Sequence, residues 1–219
     1  MVYPAPIDFC ATLELGEVRE AIRHPAADKA PGTSGLPNRF LRVLREGLIK
    51  AVARLFQACL DRGYHPKRFK EANTIILKKP RKPEPKAYRP IALLDTLGKA
   101  LETVVSRRLS DLAERYKLLP EQQMGARKGR SVETALETLT DSVHTVWNQG
   151  RENVASLLSL DVAGAFDNVS HERLLHNLRV KRVPIVVVAW VASFLQGRAT
   201  SITIGTRTSR MEEVRTGIP

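Results

Sequence analysis

Leucine, valine and phenylalanine recur every three or four residues over much of this chain, and short unbroken apolar runs separate the periodic stretches. Leu13 to His24 predict a short amphipathic helix. From Asn38 to Asp61 the positions Phe40, Leu41, Leu44, Leu48, Val52, Leu55, Phe56 and Leu60 keep helical spacing, and Gly63 is a natural stop. Thr96 to Tyr116 repeats the pattern through Leu97, Leu101, Val104, Val105, Leu109 and Leu112. Another helix is predicted from Ser131, as N-cap, to Gly150. "SHERLLHNLR" gives a further one, opened by Ser170 with Glu172 in its first turn. Pro184 and Gly197 bracket a last helical segment rich in β-branched residues. Strands are predicted at Thr74 to Lys78, at Val154 to Leu160, and in "TSITIG" and "EEVRT" around the turn "GTRTS". This mixture predicts an α/β or α+β protein.

Charge sharpens the picture. The 219 residues carry 35 Lys plus Arg against 23 Asp plus Glu, a formal +12. Such a balance points to a polyanionic partner, most often nucleic acid. The excess is densest in "KKPRKPEPKAYRP", where Lys78, Lys79, Arg81, Lys82, Lys86 and Arg89 face Glu84 alone, in a Pro-broken stretch that reads as an exposed loop or hairpin tip. Cys10 and Cys59 match no metal-ligand spacing and imply reduced thiols. "MVYPAPIDFC" lacks the features of a signal peptide, and "VPIVVVAWVASFL" is too short to span a bilayer. The expectation is a soluble intracellular protein without a membrane partner, with nucleus or cytoplasm left open.

Several motifs fail on spacing. His171 and His176 in "HERLLH" are one position too far apart for a zinc-protease pair. "GARKGRS" and "LGKALE" lack the spacing of a phosphate-binding P-loop, and no serine sits in a G-x-S-x-G elbow. What survives is Asp161, at the end of the apolar run in "LLSLDVAGAFDNVSHERLL". A carboxylate there emerges at a sheet edge, where it could ligate magnesium together with substrate phosphates, or could cap the following turn. Asp167 fits a turn or cap role better.

"SLDVAGAFDNVSHERLL" resembles the first catalytic motif of reverse transcriptases from non-LTR, LINE-type retrotransposons. "DKAPGTSGLPNRFLRVL" resembles that family's opening fingers motif, with Ser34 where the family commonly carries Asp. "FKEANTIILKKP…AYRPIALLDTLGKALETVVSRRL" and "LLPEQQMGARKGRSVETAL" resemble the next two, in the same order. The resemblance implies an α+β right-hand polymerase fold of fingers and partial palm, with an incomplete palm sheet and no thumb. It divides the chain into an N-terminal helical extension (1–28), a fingers-like region with the basic hairpin (29–150) and a partial palm (151–219).

It also implies individual roles. Asp161 would be the first palm aspartate, ligating catalytic Mg²⁺. Phe166 would be the steric gate that prefers dNTPs to rNTPs, and Arg89 and Lys79 would meet the incoming nucleotide. Lys78, Arg81, Lys82 and Lys86 would track nucleic-acid phosphates. Gln122, Gly125, Arg127 and Arg130 would lie near the template. The implied partners are an RNA template, a DNA primer and dNTP.

"EVRTGIP" resembles the start of the following motif, which in the family continues Gln-Gly-Ser-Pro and precedes the paired palm aspartates; the 219 residues include neither. The expectation is therefore an RNA-directed DNA polymerase domain in C-terminally truncated form, inactive alone. The alternatives are a non-catalytic nucleic-acid-binding module and an inert retroelement remnant.

Overall fold

The computed structural model describes residues 2–78, 88–150 and 152–218. Lys79, Arg81, Lys82 and Lys86 therefore lie outside the described residues. Helices α1 (Leu15–Arg23), α2 (Asn38–Arg42) and α3 (Glu46–Asp61) open the chain, followed by a 3₁₀ turn (Lys67–Lys70). Strands β1 (Glu71–Lys78) and β2 (Tyr88–Leu94) precede the long helices α4 (Thr96–Arg115) and α5 (Val132–Asn148). Then come α6 (His171–Val180), α7 (Ile185–Leu195) and strands β3 (Arg198–Ile204), β4 (Arg207–Thr208) and β5 (Glu212–Val214). The protein is α+β with one small mixed sheet. Its order is β2-β1-β3-β4, with β5 pairing β3 as well. β1 runs antiparallel to β2 and parallel to β3, while β4 and β5 are both antiparallel to β3.

The chain divides into two compact units. Residues 1–105 and 164–219 form the first, and 106–163 the second. The first owns a hydrophobic core that includes Val18, Ile22, Phe56, Leu60, Leu101 and Val104, each at most 2% exposed. His65 is buried in this core, edge-on to Phe69, Trp190 and Phe194 at 5.8, 5.1 and 5.2 Å between ring centroids. In the second unit α5 starts where Ser131 accepts the Thr134 N–H at 3.3 Å, the predicted N-cap. No residue of α5 is buried; Val132, Leu136 and Trp147 all face solvent.

Three local expectations change. The helix predicted across Asn38 to Asp61 is broken at Val43 to Arg45. α2 is tied to the preceding loop by Asn38 Nδ2 on the Ala26 carbonyl (2.7 Å) and by Arg42 on those of Arg23 and Pro25 (3.0 and 2.7 Å). Those bonds anchor α2 to the loop before it, and α3 starts afresh at Glu46, which pairs with Arg19 at 2.7 Å. Second, β2 forms despite Pro90, because it lies at the sheet edge, where a missing N–H is tolerated. Third, Val154 to Leu160 is not a strand: no described strand pairs with it, and Leu158 and Leu160 are about four-fifths exposed. An apolar run becomes a strand only when a neighbour satisfies its backbone N–H and C=O groups.

Glycine 32, in the "PGTSGLP" loop, shows why that sequence is tight. A Cβ there would stand 2.3–2.5 Å from the backbone of Leu94 and Asp95. The loop's far end is held by Thr96 Oγ1 on the Leu36 carbonyl at 2.7 Å.

Candidate functional site

The stretch that carries Phe166 is a turn over Ala163 to Asn168, where Gly164 takes a positive φ of 61° and its carbonyl accepts the Asn168 N–H at 3.0 Å. The turn passes into α6, whose first N–H groups are capped by Ser170, accepting from Arg173 N at 3.3 Å. The ring of Phe166 is 69% exposed, so packing does not fix it. Its backbone is fixed instead. Ile218 donates its N–H to the Phe166 carbonyl at 3.0 Å. Next to it, His171 Nε2 lies 2.7 Å from the Gly217 carbonyl. A carbonyl can only accept, so His171 holds its proton on Nε2 there.

A cavity of about 480 Å³ opens beside this turn, lined among others by Lys70, Thr74, Asp167, His171, Arg198 and Gly217. Lys70 and Arg198 are both buried. Burial draws each below its ordinary range, and for Lys70 the Arg198 guanidinium adds repulsion. Arg198 rests on the Phe194 ring at 4.7 Å and donates to the Phe194 carbonyl at 3.1 Å. In the adjoining core His65 Nε2 comes within 3.9 Å of Glu102 Oε1. This is no ion pair at neutral pH: burial first, then Arg198 and Lys70, hold the imidazole down at about 3. Burial also pushes the Glu102 carboxyl up to about 7, against the pull of Arg198 and Lys99.

Of the other expected residues, Arg89 and Lys78 belong to the first unit, and Asp161, Gln122, Gly125, Arg127 and Arg130 to the second. Arg89 on the edge strand β2 and Lys78 at the end of its neighbour β1 are exposed, with Arg89 registered against Leu77 and Lys78 against Tyr88. In the second unit the Asp161 side chain is exposed and accepts its neighbour Val162's N–H at 3.0 Å. Arg127 is committed inside that unit. It forks onto both carboxylate oxygens of Glu114 at 2.9 and 2.8 Å and donates to the carbonyls of Pro120 and Gln123. Its side chain is only 6% exposed, whereas Arg130, Gln122 and Gly125 face solvent.

With that geometry in place, residues 76–219 match the family model described as reverse transcriptase (RNA-dependent DNA polymerase). The chain belongs to the reverse transcriptase family. It is 30% identical over 212 residues to the RNA-directed DNA polymerase from mobile element jockey of Drosophila melanogaster, covering 95% of this chain and 23% of that protein. It is 29% identical over 209 residues to the probable RNA-directed DNA polymerase from transposon BS of the same species, covering 94% of this chain and 23% of the relative. A retrovirus-related Pol polyprotein from type-1 retrotransposable element R1 of Bradysia coprophila is 30% identical over 178 residues, covering 80% of this chain and 17% of its own length. The chain thus spans less than a quarter of the curated relatives it matches.

As a reverse transcriptase domain of the retrotransposon kind, the chain belongs to a family that uses a divalent metal. Among the described residues no group of three or more His, Cys, Asp and Glu side chains is placed to hold one. Among the described residues no helix is long and apolar enough to cross a membrane. Both cysteines are free thiols.

The hydrogen bond between His171 and Gly217 has no counterpart in the motif letters: His171 lacks zinc spacing, and Gly217 stands only in the start of a motif. The available signal was a glycine two residues before a proline in "TGIP", beyond a short strand. Lys70 and Arg198 gave no signal, because only the fold turns a basic side chain inward.

Proposed function

We propose that this chain is the nucleotide- and template-handling segment of an RNA-directed DNA polymerase, with fingers and part of a palm. In this reading Phe166 is the sugar gate, Arg89 and Lys79 meet the triphosphate, and Asp161 supplies one carboxylate toward Mg²⁺. Lys78, Arg81, Lys82, Lys86 and Arg130 follow the phosphates of an RNA template paired to a DNA primer. The observation that carries the reading is Phe166 itself, a solvent-facing aromatic ring on a turn whose backbone is pinned by Ile218. A group that discriminates by shape must be held at a fixed place before its ligand arrives. The +12 charge supports the polyanionic partner.

Two-metal nucleotidyl transfer needs carboxylates beyond Asp161 to hold the two metal ions that would stabilise charge on the attacking and leaving oxygens. The 219 residues alone are therefore expected to bind primer–template without extending it. Primer extension on an RNA template with Mg²⁺ and dNTPs tests this: no incorporation is expected, and incorporation abolished by Asp161→Ala would overturn it. A second reading, a nucleic-acid-binding module without catalysis, draws on the same basic residues. It is favoured if binding shows no preference for primer–template over single-stranded RNA.

A further inference from the structure

We propose that His171 and Gly217 are positioning residues that set where the Phe166 ring stands against the sugar of a bound nucleotide. The proposal rests on the reading of Phe166 as the gate. Because that ring is mostly exposed, its place is determined by its own backbone. The backbone is held from one side by the Ile218 N–H, and Ile218 is held in turn through Gly217. Gly217 has φ +77°, in the left-handed region. A Cβ on it would stand 2.9–3.0 Å from Asp167 O, Asp167 Cα and Phe166 O. Only glycine lets the segment come this close to the turn. His171 closes the loop by donating from Nε2 to the Gly217 carbonyl at 2.7 Å, from the first residue of the capped helix α6.

The latch also has a frame. Three residues before Gly217, Val214 is registered to Arg198 on β3. β3 is registered to β1, and β1 to β2, where Arg89 lies. Phe166 and Arg89, read as touching the sugar and the triphosphate of one nucleotide, are thus tied to one hydrogen-bonded sheet. The sugar gate is indexed to the triphosphate contact through Gly217, not through packing of the ring.

Fluorine NMR on the 219-residue chain carrying 4-fluorophenylalanine tests the coupling, with the Phe166 signal assigned by its loss in Phe166→Leu. His171→Ala is expected to shift or split that signal and to speed exchange of the Ile218 amide about tenfold. His171→Gln, which keeps an N–H donor at similar reach, is expected to restore both. Gly217→Ala is expected to move the same signal. The other phenylalanine signals report the rest of the fold; if His171→Ala moves them all, Gly217→Ala decides. An unchanged Phe166 signal and Ile218 exchange in a folded variant overturn the latch. The gate reading is tested separately by dGTP against GTP binding in wild type and Phe166→Ala. Latch effects without any deoxynucleotide preference overturn the gate and leave the positional coupling standing; a preference lost in Phe166→Ala with no latch effect overturns the latch alone.

Discussion

Ile218 donates its amide N–H to the carbonyl of Phe166 at 3.0 Å, while the preceding Gly217 adopts φ +77° where an added Cβ would stand 2.9–3.0 Å from the backbone of Asp167 and Phe166. Substituting Gly217→Ala meets both the backbone conformation and the steric wall. The expected loss is about 1–3 kcal/mol, because the atoms in the way are main chain and cannot rotate aside. Urea denaturation at neutral pH measures it, and a midpoint unchanged from wild type would contradict it.

Two glycines of the "PGTSGLP" loop separate sterics from backbone strain. Gly32→Ala would drive a Cβ to 2.3 Å from the Leu94 carbonyl carbon, so a loss of about 3 kcal/mol or more is expected. Gly35 has open space around it but φ +70°. Gly35→Ala is expected to cost only about 1 kcal/mol. Thermal melts of the two variants check the order, and the reverse order would contradict the packing described.

His65 and Glu102 give opposing pH dependences. The His65 imidazole titrates at about 3 when folded against an ordinary 6.5, so its contribution is lost as pH falls from 6.5 toward 3. The Glu102 carboxyl titrates at about 7 when folded against 4.5, so its contribution is greatest below 4.5 and is lost as pH rises toward 7. Between 4.5 and 6.5 the two largely cancel. Glu102→Gln is expected to uncover a stability that climbs with pH from about 3 to 6.5, and His65→Phe one that falls from about 4.5 to 7. Melting temperature against pH for the three proteins checks this, and parallel curves would contradict it.

Arg127 and Arg130 are expected to part company. The Arg127 guanidinium is spent on Glu114 and two carbonyls, and it holds the Glu114 carboxyl below its usual range. Arg127→Ala should therefore leave the salt dependence of RNA binding unchanged and speed amide exchange in the loop after α4. Arg130→Ala should lower the salt slope by about one phosphate contact with no change in exchange. A fall in slope for Arg127→Ala would place its guanidinium on nucleic acid instead.

Much of the fold was legible because its signals are local. Ser131 and Ser170 cap the helices they were expected to open, and the periodicity of Leu97 to Leu112 became α4. The misreadings were tertiary in cause. Arg42 and Asn38 tie α2 to the carbonyls of Arg23, Pro25 and Ala26, long-range bonds that no periodicity records. Val154 to Leu160 has strand composition, but pairing requires a partner that composition does not supply. At the site, the motif letters identified Asp161, Phe166 and Arg89 as candidates. The hold on Phe166 comes from Ile218, Gly217 and His171, which converge only through the sheet register and the α6 cap.

A segment built to hold an RNA template paired to DNA should bind an RNA–DNA primer–template in a salt-dependent way, and titration across a salt series measures this. Saturable binding is expected whose log Kobs falls linearly with log salt, by roughly 0.7–0.9 for each phosphate neutralised, with Lys78→Ala lowering the slope by about one contact. Weak binding that stays flat from low to high salt would contradict it.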